Sequence, residues 1–484
     1  MSAPTVAAPA GERRARRRAR AERGRGASIL VAAISSGFGT ILIAATGFIA
    51  AWLLAAPYLA GRETVIAVAA ILSALLVGVA MFVAAIVTTN TFATIVAGRT
   101  RQIALLRLIG ASARSERVRV AREGLVVGVI GAAIGLVGGT AAAALLLPVA
   151  RMAWGIDVDY SLLQPVLAAP ALIVVVTTWA AAWAGSRRVL EVTPLQAISG
   201  AAERSAREAV GGRARRITAG MLFFGGSSVL AAGIVLGLVS PLGVVVAFAG
   251  GLLSFTGLSL GATVIMPPLL RATGRLFGRS APARLAAENA LRYPERSSRM
   301  AIGVVMGVTL VTMFAVASQS ARQVIIGSAG GEPPEELLSL MDTFAAIMMS
   351  LVAVAAVIAA VGLVNLLTLG VIQRRRELGL LRTLGFAIPQ IRRMVLIEAA
   401  HLTVTSVALG LVLGVVYGWA GAQSLLGSVG VPPEFSSPTF LLPSIPWVTV
   451  GIVAVATALL TAVAAVAPTR LATAVSPIDA LAGD

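Results

Sequence analysis

Residues 372–389 read IQRRRELGLLRTLGFAIP, and residues 97–114 read AGRTRQIALLRLIGASAR. At an offset of 275 residues, arginines, leucines and a terminal glycine of the two stretches coincide, and matches continue on both sides. With a small shift, Thr193–Ile198 also resembles Ser476–Leu481. Matches over this length indicate a long internal repeat. The matched pairs are Arg99 and Arg374, Arg101 and Arg376, Leu105–Arg107 and Leu380–Arg382, Gly110 and Gly385, Asn90 and Asn365, Arg117 and Arg392, Glu123 and Glu398, Gly135 and Gly410, and Gly139 and Gly414.

The sequence around these stretches is strongly apolar. Of its 484 residues, 58% are hydrophobic and 12% charged, with a mean hydropathy of +0.92. Soluble domains carry roughly 25% charged residues, so this chain has too little charge to cover a water-exposed surface. Apolar runs of about 20 residues cross a bilayer, and the chain is predicted to contain ten such runs. The predicted spans cover residues 29–56, 65–97, 122–147, 166–186, 218–239, 242–266, 299–320, 343–372, 393–424 and 445–467.

The arginines set the predicted orientation. With the basic arm 1–26 inside the cell, 36 of the 39 basic residues fall in cytoplasmic segments, as the positive-inside rule requires. We therefore expect a multi-pass protein of the cell membrane with both termini cytoplasmic. The predicted external loop at 321–342 has about 22 residues, whereas a folded domain needs about 50. No large external domain is expected.

The repeat and the spans together predict an all-α polytopic membrane protein arranged as four, two and four helices. The two four-helix repeats begin six spans apart, an even number, so they should share one orientation and form a parallel pair. The predicted regions are a basic cytoplasmic arm at 1–26, a first four-helix repeat at 27–200, a linker and two-helix insert at 201–280, and a second four-helix repeat at 281–484.

Several kinds of chemistry are excluded by composition. The chain has no Cys and one His, so it cannot build a thiolate site or a two-histidine metal site of its own. All of its basic residues are Arg, so no Walker A loop with its phosphate-binding Lys exists. No cofactor and no catalytic residue are expected in this chain. Its net charge of +18 follows from membrane topology, and no nucleic-acid partner is expected.

The repeated stretches also predict a short amphipathic helix in each half. Ile103, Leu106 and Ile109 fall at helical spacing, and Gly110 is a typical helix stop. The second copy has Leu378, Leu381 and Leu384, stopping at Gly385. Such a helix either anchors at the membrane surface or contacts a partner there, and its duplication in the same loop favours a partner.

The pattern R-x-R-E-[IL]-G-[IL]-L-R-x-[IL]-G resembles the FtsX-like permease family, the membrane partners of MacB-type ABC transporters. Residues 374–385 match it closely, and the first copy departs at Gln102 and Ala104. The resemblance implies that 101–110 and 376–385 act as coupling helices against two copies of a separate ABC ATPase subunit, which binds ATP and Mg²⁺. The implied contact residues are Arg101, Ile103, Leu106, Arg107, Gly110, Arg376, Glu377, Leu378, Leu381, Arg382 and Gly385.

Other polar residues lie near or inside the spans. Asn90 and Asn365 are predicted to hydrogen-bond between helices, and Glu123 and Glu398 to hold a structural partner or a helix N-terminus. His401 matches Val126 in the first repeat and is interpreted as incidental. A small-residue face for close packing is predicted in the third span, comprising Gly128, Gly131, Gly135, Gly138 and Gly139.

Three functions are compatible with these features. The first is an ABC transporter permease that exports or extracts a lipid, peptide or antibiotic and contacts membrane lipids. The second is a non-transporting regulator of cell-wall hydrolases, which the short external loops disfavour. The third is an ion-coupled secondary transporter, which needs an acidic residue at mid-depth in a span, and none is clearly placed there.

Overall fold

The computed structural model describes residues 10–55, scattered positions between 71 and 89, 112–154, most of 158–191, most of 213–328, 342, 380–428 and 439–473. All regular elements in these ranges are helices. Seven helices in the described part of the chain are long and apolar enough to cross a membrane. The chain is therefore a multi-pass α-helical membrane protein.

Ten helices are named here in chain order. They are α1 (Ala10–Ala55), α2 (Ala113–Trp154), α3 (Ala169–Glu191), α4 (Arg213–Gly237), α5 (Gly243–Leu260), α6 (Ala262–Gly274), α7 (Ala281–Arg292), α8 (Pro294–Ser328), α9 (Ile388–Leu426) and α10 (Trp447–Thr473). Short 3-10 turns at Pro165–Ala168 and Arg275–Phe277 precede α3 and follow α6.

Seven of the ten predicted spans coincide with helices that are long and apolar enough to cross a membrane, namely α1, α2, α3, α4, α5, α8 and α9. The predicted last span lies within α10, whose apolar part is shorter, at Trp447–Val463. The predicted span 343–372 and most of 65–97 fall outside the described residues. The total of ten spans therefore stays a prediction.

The predicted span 242–266 is wrong at its end. Helix α5 stops at Leu260, and α6 begins after Gly261, whose ψ of 2° lies outside the α-helical range. Glycine has the lowest helix propensity of any residue except proline. The apolar run continues through this turn, and hydropathy alone could not locate the break.

Residue contacts divide the chain into two compact units. The first holds the described residues within 1–48, 77–153 and 159–202, and the second holds those within 203–484 with short pieces at 49–76 and 154–158. The bounds predicted for the repeats and the insert stay predictions.

In the first unit, α2 packs on α1 through small residues spaced four apart. A Cβ added at Gly131 or Gly135 would collide with atoms of Ala32 or Ala33, and one added at Gly139 would lie 2.6 Å from the carbonyl oxygen of Gly37. Such spacing lets two helix backbones approach closely inside a membrane. The predicted small-residue face thus contacts α1 at these three positions. Gly128 faces α3 instead, and a Cβ at Gly138 would meet open space among the described residues.

In the second unit, α9 packs on α8 in the same manner. A Cβ added at Gly410 would lie 2.8 Å from Val308 Cβ, and one at Gly414 would collide with Thr312. Gly418 continues the row, four residues on, against Met313 and Val316 of α8. Gly410 and Gly414 are the repeat partners of Gly135 and Gly139. Equivalent positions therefore make the equivalent helix contact in both repeats.

Helices α4 and α5 form a tight hairpin, joined by a turn at 238–242. A Cβ at any of five glycines would collide with backbone atoms of the hairpin partner. The hairpin packs along α9 of the same unit: a Cβ at Gly237 would collide with Ser424, and Ser254 Oγ lies 2.9 Å from Tyr417 Oη. Helix α9 thus contacts α8 on one side and the insert on another. The five hairpin glycines are Gly226, Gly233, Gly243, Gly250 and Gly257.

Candidate functional site: the second arginine segment

Five of the sequence-predicted site residues have a described place in the structure: Leu381, Arg382 and Gly385 in the second repeated stretch, and Glu123 and Glu398 at the starts of α2 and α9. The other predicted residues lie outside the described part of the chain. These are Asn90, Arg101, Ile103, Leu106, Arg107, Gly110, Asn365, Arg376, Glu377 and Leu378.

A short helix covering residues 380–383 ends at Gly385, as the sequence predicts. Gly385 adopts φ +94°, a left-handed conformation that side chains with a Cβ disfavour. Its N–H donates to the Arg382 carbonyl at 3.1 Å, and the Phe386 N–H donates to the Leu381 carbonyl at 3.0 Å. This pair of bonds is a Schellman motif, which satisfies the last carbonyls of a helix and reverses the chain.

The inner side of this turn is held by apolar packing. Leu381 and Phe386 both pack against a buried cluster formed by Ala286 of α7 with Ile391, Met394 and Val395 of α9. A contact between these two helix-end positions commonly accompanies the Schellman motif. The turn is therefore attached to the first two turns of α9 and to α7.

The outer side of the same turn presents apolar side chains. Leu384 is 72% exposed and Leu380 47% exposed, and Ile388 is exposed one turn further on. Leu380 and Ile388 were not among the sequence-predicted contact residues. The spacing of four between Leu380 and Leu384 is a signal for one helix face, whereas Ile388 lies beyond the chain reversal at Gly385, where that spacing carries no such signal. We call Leu380, Leu384 and Ile388 the outer leucine face.

Positive charge flanks the outer leucine face. Arg392 and Arg393 are exposed in the first turns of α9, while Arg382 is half-buried. Arg382 and Arg392 each have further interactions in the structure. At the start of α9, the Gln390 Oε1 accepts a hydrogen bond from the Ala387 N–H at 2.9 Å, which fixes the entry of the chain into the helix.

Helix α9 is longer than a membrane span. It has 39 residues, whereas about 20 residues cross the hydrocarbon core. Helix α2, its counterpart in the first repeat, has 42. Both helices start with arginines, so the surplus length at that end places the basic first turns beyond the hydrocarbon region. The turn at Gly385 is joined to this protruding part of α9.

A buried polar group further along α9 was missed by sequence reasoning. His401 is 1% exposed, and its Nε2 lies 2.8 Å from the Leu270 carbonyl oxygen and 3.1 Å from Thr273 Oγ1 of α6. Because a carbonyl only accepts, the ring proton sits on Nε2. Thr273 Oγ1 also lies 2.6 Å from Thr405 Oγ1. These contacts form a polar connection between α6 and α9, and the interpretation of His401 as incidental is wrong.

Glu398 lies one turn before His401 and is 5% exposed. It has a partner in the structure, as a carboxylate at this depth requires. Glu123, its repeat partner on α2, is half-buried and also has a partner. No group of three or more His, Cys, Asp or Glu side chains that could hold a metal occurs among the described residues.

Arg117 of the first repeat, the partner of Arg392, has a different environment. The Arg117 guanidinium carbon lies 3.8 Å from the centre of the Trp183 ring, so α2 and α3 are joined by a cation–π contact. Its repeat partner, Arg392, is exposed.

At the other end of the first unit, the Phe48 and Tyr160 rings meet edge to face with centroids 6.2 Å apart. Burial raises the pKa of Tyr160 above its usual value.

These features together define a polytopic helical membrane protein with a duplicated module, in which a surface turn is packed onto the third helix of the second copy. A sequence model described as FtsX-like permease C-terminal matches residues 74–194 and 349–477. The chain belongs to the FtsX-like permease family. The starts of the two matched ranges are 275 residues apart, the offset of the internal repeat, and the ranges end at the paired prolines Pro194 and Pro477.

The family defines the class of the protein. FtsX-like permeases are ABC transporter permease-type membrane proteins that are typically non-catalytic and generally pair with ABC ATPase subunits. The presence of two family domains agrees with a fused two-repeat permease. A search of curated proteins gave no significant match.

Proposed function

We propose that this chain is the membrane subunit of an ABC transporter, and that a separate ABC ATPase drives it by pressing on the turn at Gly385 and its counterpart in the first repeat. The observation that carries this proposal is the two-sided construction of the turn. Its inner side is packed into α7 and α9, while the outer leucine face remains exposed beside arginines.

The turn is suited to transmit force. Leu381 and Phe386 are packed against Ile391, Met394 and Val395 at the start of α9, so a displacement of the turn displaces that helix. Protein interiors are close-packed and transmit strain. Helix α9 in turn contacts α8 through the glycine row from Gly410 to Gly418. A push at the surface is therefore passed to two membrane-spanning helices.

The repeat implies two such contacts. One segment in each half, at 101–110 and 376–385, would serve one copy of the ATPase, so one chain could serve an ATPase pair. ATP and Mg²⁺ would be held by the ATPase, since this chain contains no Lys for a Walker A loop. The arginine distribution supports a cytoplasmic position for both segments and both termini.

The proposed substrate is amphipathic or hydrophobic: a lipid, a peptide or an antibiotic that is exported or extracted from the membrane. Support comes from the short predicted external loops, which are too small for a folded domain that would receive a large external partner. The seven candidate spans expose many large apolar side chains, for example Val137, Leu145 and Phe224, as lipid-facing helices do.

The test measures the affinity of the ATPase for the permease in lipid nanodiscs. The probe is the ABC ATPase that co-purifies with this chain from its own organism. Replacing Leu384 by Ala should raise the dissociation constant about tenfold, the effect of losing roughly 1.4 kcal/mol at an interface. Leu459→Ala is the matched control, because Leu459 is similarly exposed but lies on helix α10, outside the turn.

Two results would contradict the proposal. One is an unchanged dissociation constant for Leu384→Ala in a protein that still elutes as a single folded species. The other is substrate transport by the purified permease in the absence of both an ATPase subunit and ATP.

A further inference from the structure

Residues 439–446, which lead into the start of α10, are here called the strap. They are held by side chains of α8 and α9. The Gln423 side chain is fully buried; its Nε2 donates to the Thr439 carbonyl at 2.8 Å, and its Oε1 accepts from the Leu441 N–H at 2.6 Å. One amide side chain thus makes the two backbone hydrogen bonds that a neighbouring β-strand would otherwise make.

Three further bonds hold the strap. Trp419 Nε1 donates to the Leu441 carbonyl at 2.7 Å, the Thr439 N–H donates to the Gly427 carbonyl at 2.9 Å, and the Ser444 N–H lies 3.3 Å from Ser320 Oγ of α8. Two of the eight strap residues are prolines, which have no N–H to satisfy. Three of the six backbone N–H groups of the strap are therefore satisfied by protein groups.

The side chains between the bonded residues point outward and are apolar. Phe440 is 74% exposed and Leu442 is 86% exposed. Trp447 and Val448, in the first turn of α10, are exposed to a similar degree. No charged residue occurs between Glu434 and Arg470. Large exposed apolar surfaces on a rigid frame mark a contact with a protein or a membrane.

The exposed side chains of the strap continue into an exposed apolar stripe on α10. On α10, the exposed residues Val448, Ile452, Val455, Leu459 and Val463 follow one another at intervals of three and four, which places them on one helix face. Trp447 begins this helix, and aromatic side chains are enriched where spans meet the membrane surface. Irregular backbone is tolerated at membrane depth only where its polar groups are satisfied, and the bonds at Thr439, Leu441 and Ser444 meet part of that condition.

We propose that the strap is an interfacial anchor, which inserts Phe440, Leu442 and Trp447 into the boundary between lipid headgroups and acyl chains at the end of α9 opposite its arginines. Because the strap is bonded to both α8 and α9, the anchor fixes the ends of this helix pair to one leaflet. A displacement that enters α9 at its arginine end then tilts the pair about the anchored end. The anchor itself follows from the strap alone and does not rest on the identity of the driving partner.

The test uses the absence of cysteine from the chain. Single variants Phe440→Cys and Leu442→Cys are labelled with an environment-sensitive fluorophore and placed in nanodiscs whose lipids carry a quencher near the headgroup. Two single-cysteine variants provide references: Leu459→Cys for an exposed apolar position on α10, and Ser115→Cys for an exposed position in the basic first turn of α2. We expect at least threefold stronger lipid quenching at 440 and 442 than at 115, and weak quenching by a water-soluble quencher.

Three outcomes would overturn the anchor. Quenching at 440 and 442 that equals the Ser115 reference would place the strap in water. Protection from both quenchers would mean that a protein, for example a second copy of this chain, covers positions 440 and 442 of the strap. A lipid signal that persists when Gln423→Leu releases the strap would show that its rigid attachment is unnecessary; the inference predicts that this variant loses the signal at 440 while Leu459 keeps its own.

Discussion

Helices α2 and α9 are the same element of the two repeats, yet one face of each has a different environment. Gly135 and Gly139 of α2 contact α1 as Gly410 and Gly414 of α9 contact α8. On another face, Val126 and Ile130 of α2 are exposed, whereas their repeat partners on α9, His401 and Thr405, are buried against α6. The repeats therefore retain the contact between their first and third spans and differ where the insert packs.

The two helices are consequently held by different sets of neighbours. In the second repeat, α9 is held by α8, by the insert and by the turn at Gly385, so it moves only together with them. In the first repeat, the described contacts join α2 to α1 and to α3, the latter through Gly128, through the buried cluster of Val127, Ala181 and Ala182, and through the pair of Arg117 and Trp183. The docked insert is therefore the described feature that distinguishes the surroundings of α9 from those of α2.

The largest expected effect tests the contact that the repeats share. Gly139→Leu and Gly414→Leu should each destabilise the protein by about 3 kcal/mol or prevent its accumulation, because the added side chain meets a neighbouring helix. Thermal unfolding in detergent, followed by size-exclusion chromatography, measures the effect. Gly138→Leu and Gly421→Leu are the controls, since a Cβ at either position meets nothing within 4 Å among the described residues. Harm from the controls equal to that from the test pair would contradict the glycine contacts.

The second prediction converts the insert-facing side of α9 into that of α2. The double variant His401→Val with Thr405→Ile should lower stability by about 1–3 kcal/mol, because the polar connection to Leu270 and Thr273 is lost. The measurement is the unfolding midpoint together with protease cleavage at the Ser240–Pro241 turn, which a loosened insert should expose. Val126→Thr is the control on the first repeat. An unchanged midpoint would mean that the connection contributes nothing.

The third prediction compares the repeat partners Arg117 and Arg392, each of which loses one positive charge on replacement by Gln. Arg117→Gln should destabilise by about 1 kcal/mol through loss of the contact with Trp183. Arg392→Gln removes the same charge from an exposed position and should leave the unfolding midpoint within error. Trp183→Leu should reproduce the Arg117→Gln effect, and the combined variant should add little. Equal effects at 117 and 392 would show that the ring contact is unimportant.

The fourth prediction, of about the same size as the third, concerns the helix end at Gly385. Gly385→Ala should cost about 1 kcal/mol, because alanine is strained at φ +94°. Gly110→Ala makes the corresponding change in the first repeat, where the sequence predicts the same helix end. A matching cost, read from unfolding midpoints, would extend the Schellman turn to that repeat. No cost at Gly110 would show that its segment ends in another way.

The sequence predicted the elements that depend on composition and period. Most spans and the helix stop at Gly385 depend on apolar runs and on one glycine, and the structure bears them out. The repeat offset is borne out by the two family matches. The break at Gly261 and the connection through His401 were not predicted. In a membrane, lipid-facing and packed side chains are equally apolar, so hydropathy does not tell which face meets a neighbour. The docking of the insert on α9 is a contact between distant residues, which local pattern does not contain.

The measurement that tests the account most directly is a photo-crosslink from the outer leucine face. A single cysteine at Leu384, in a chain with none of its own, carries the crosslinker in native membranes, and Leu442→Cys carries it at the opposite end of α9. The account predicts that position 384 forms a product whose mass spectrum contains a Walker A peptide of an ABC ATPase, while position 442 yields lipid adducts alone. An ATPase product from 442, or labelling of 384 by an impermeant reagent from outside the cell, would contradict it.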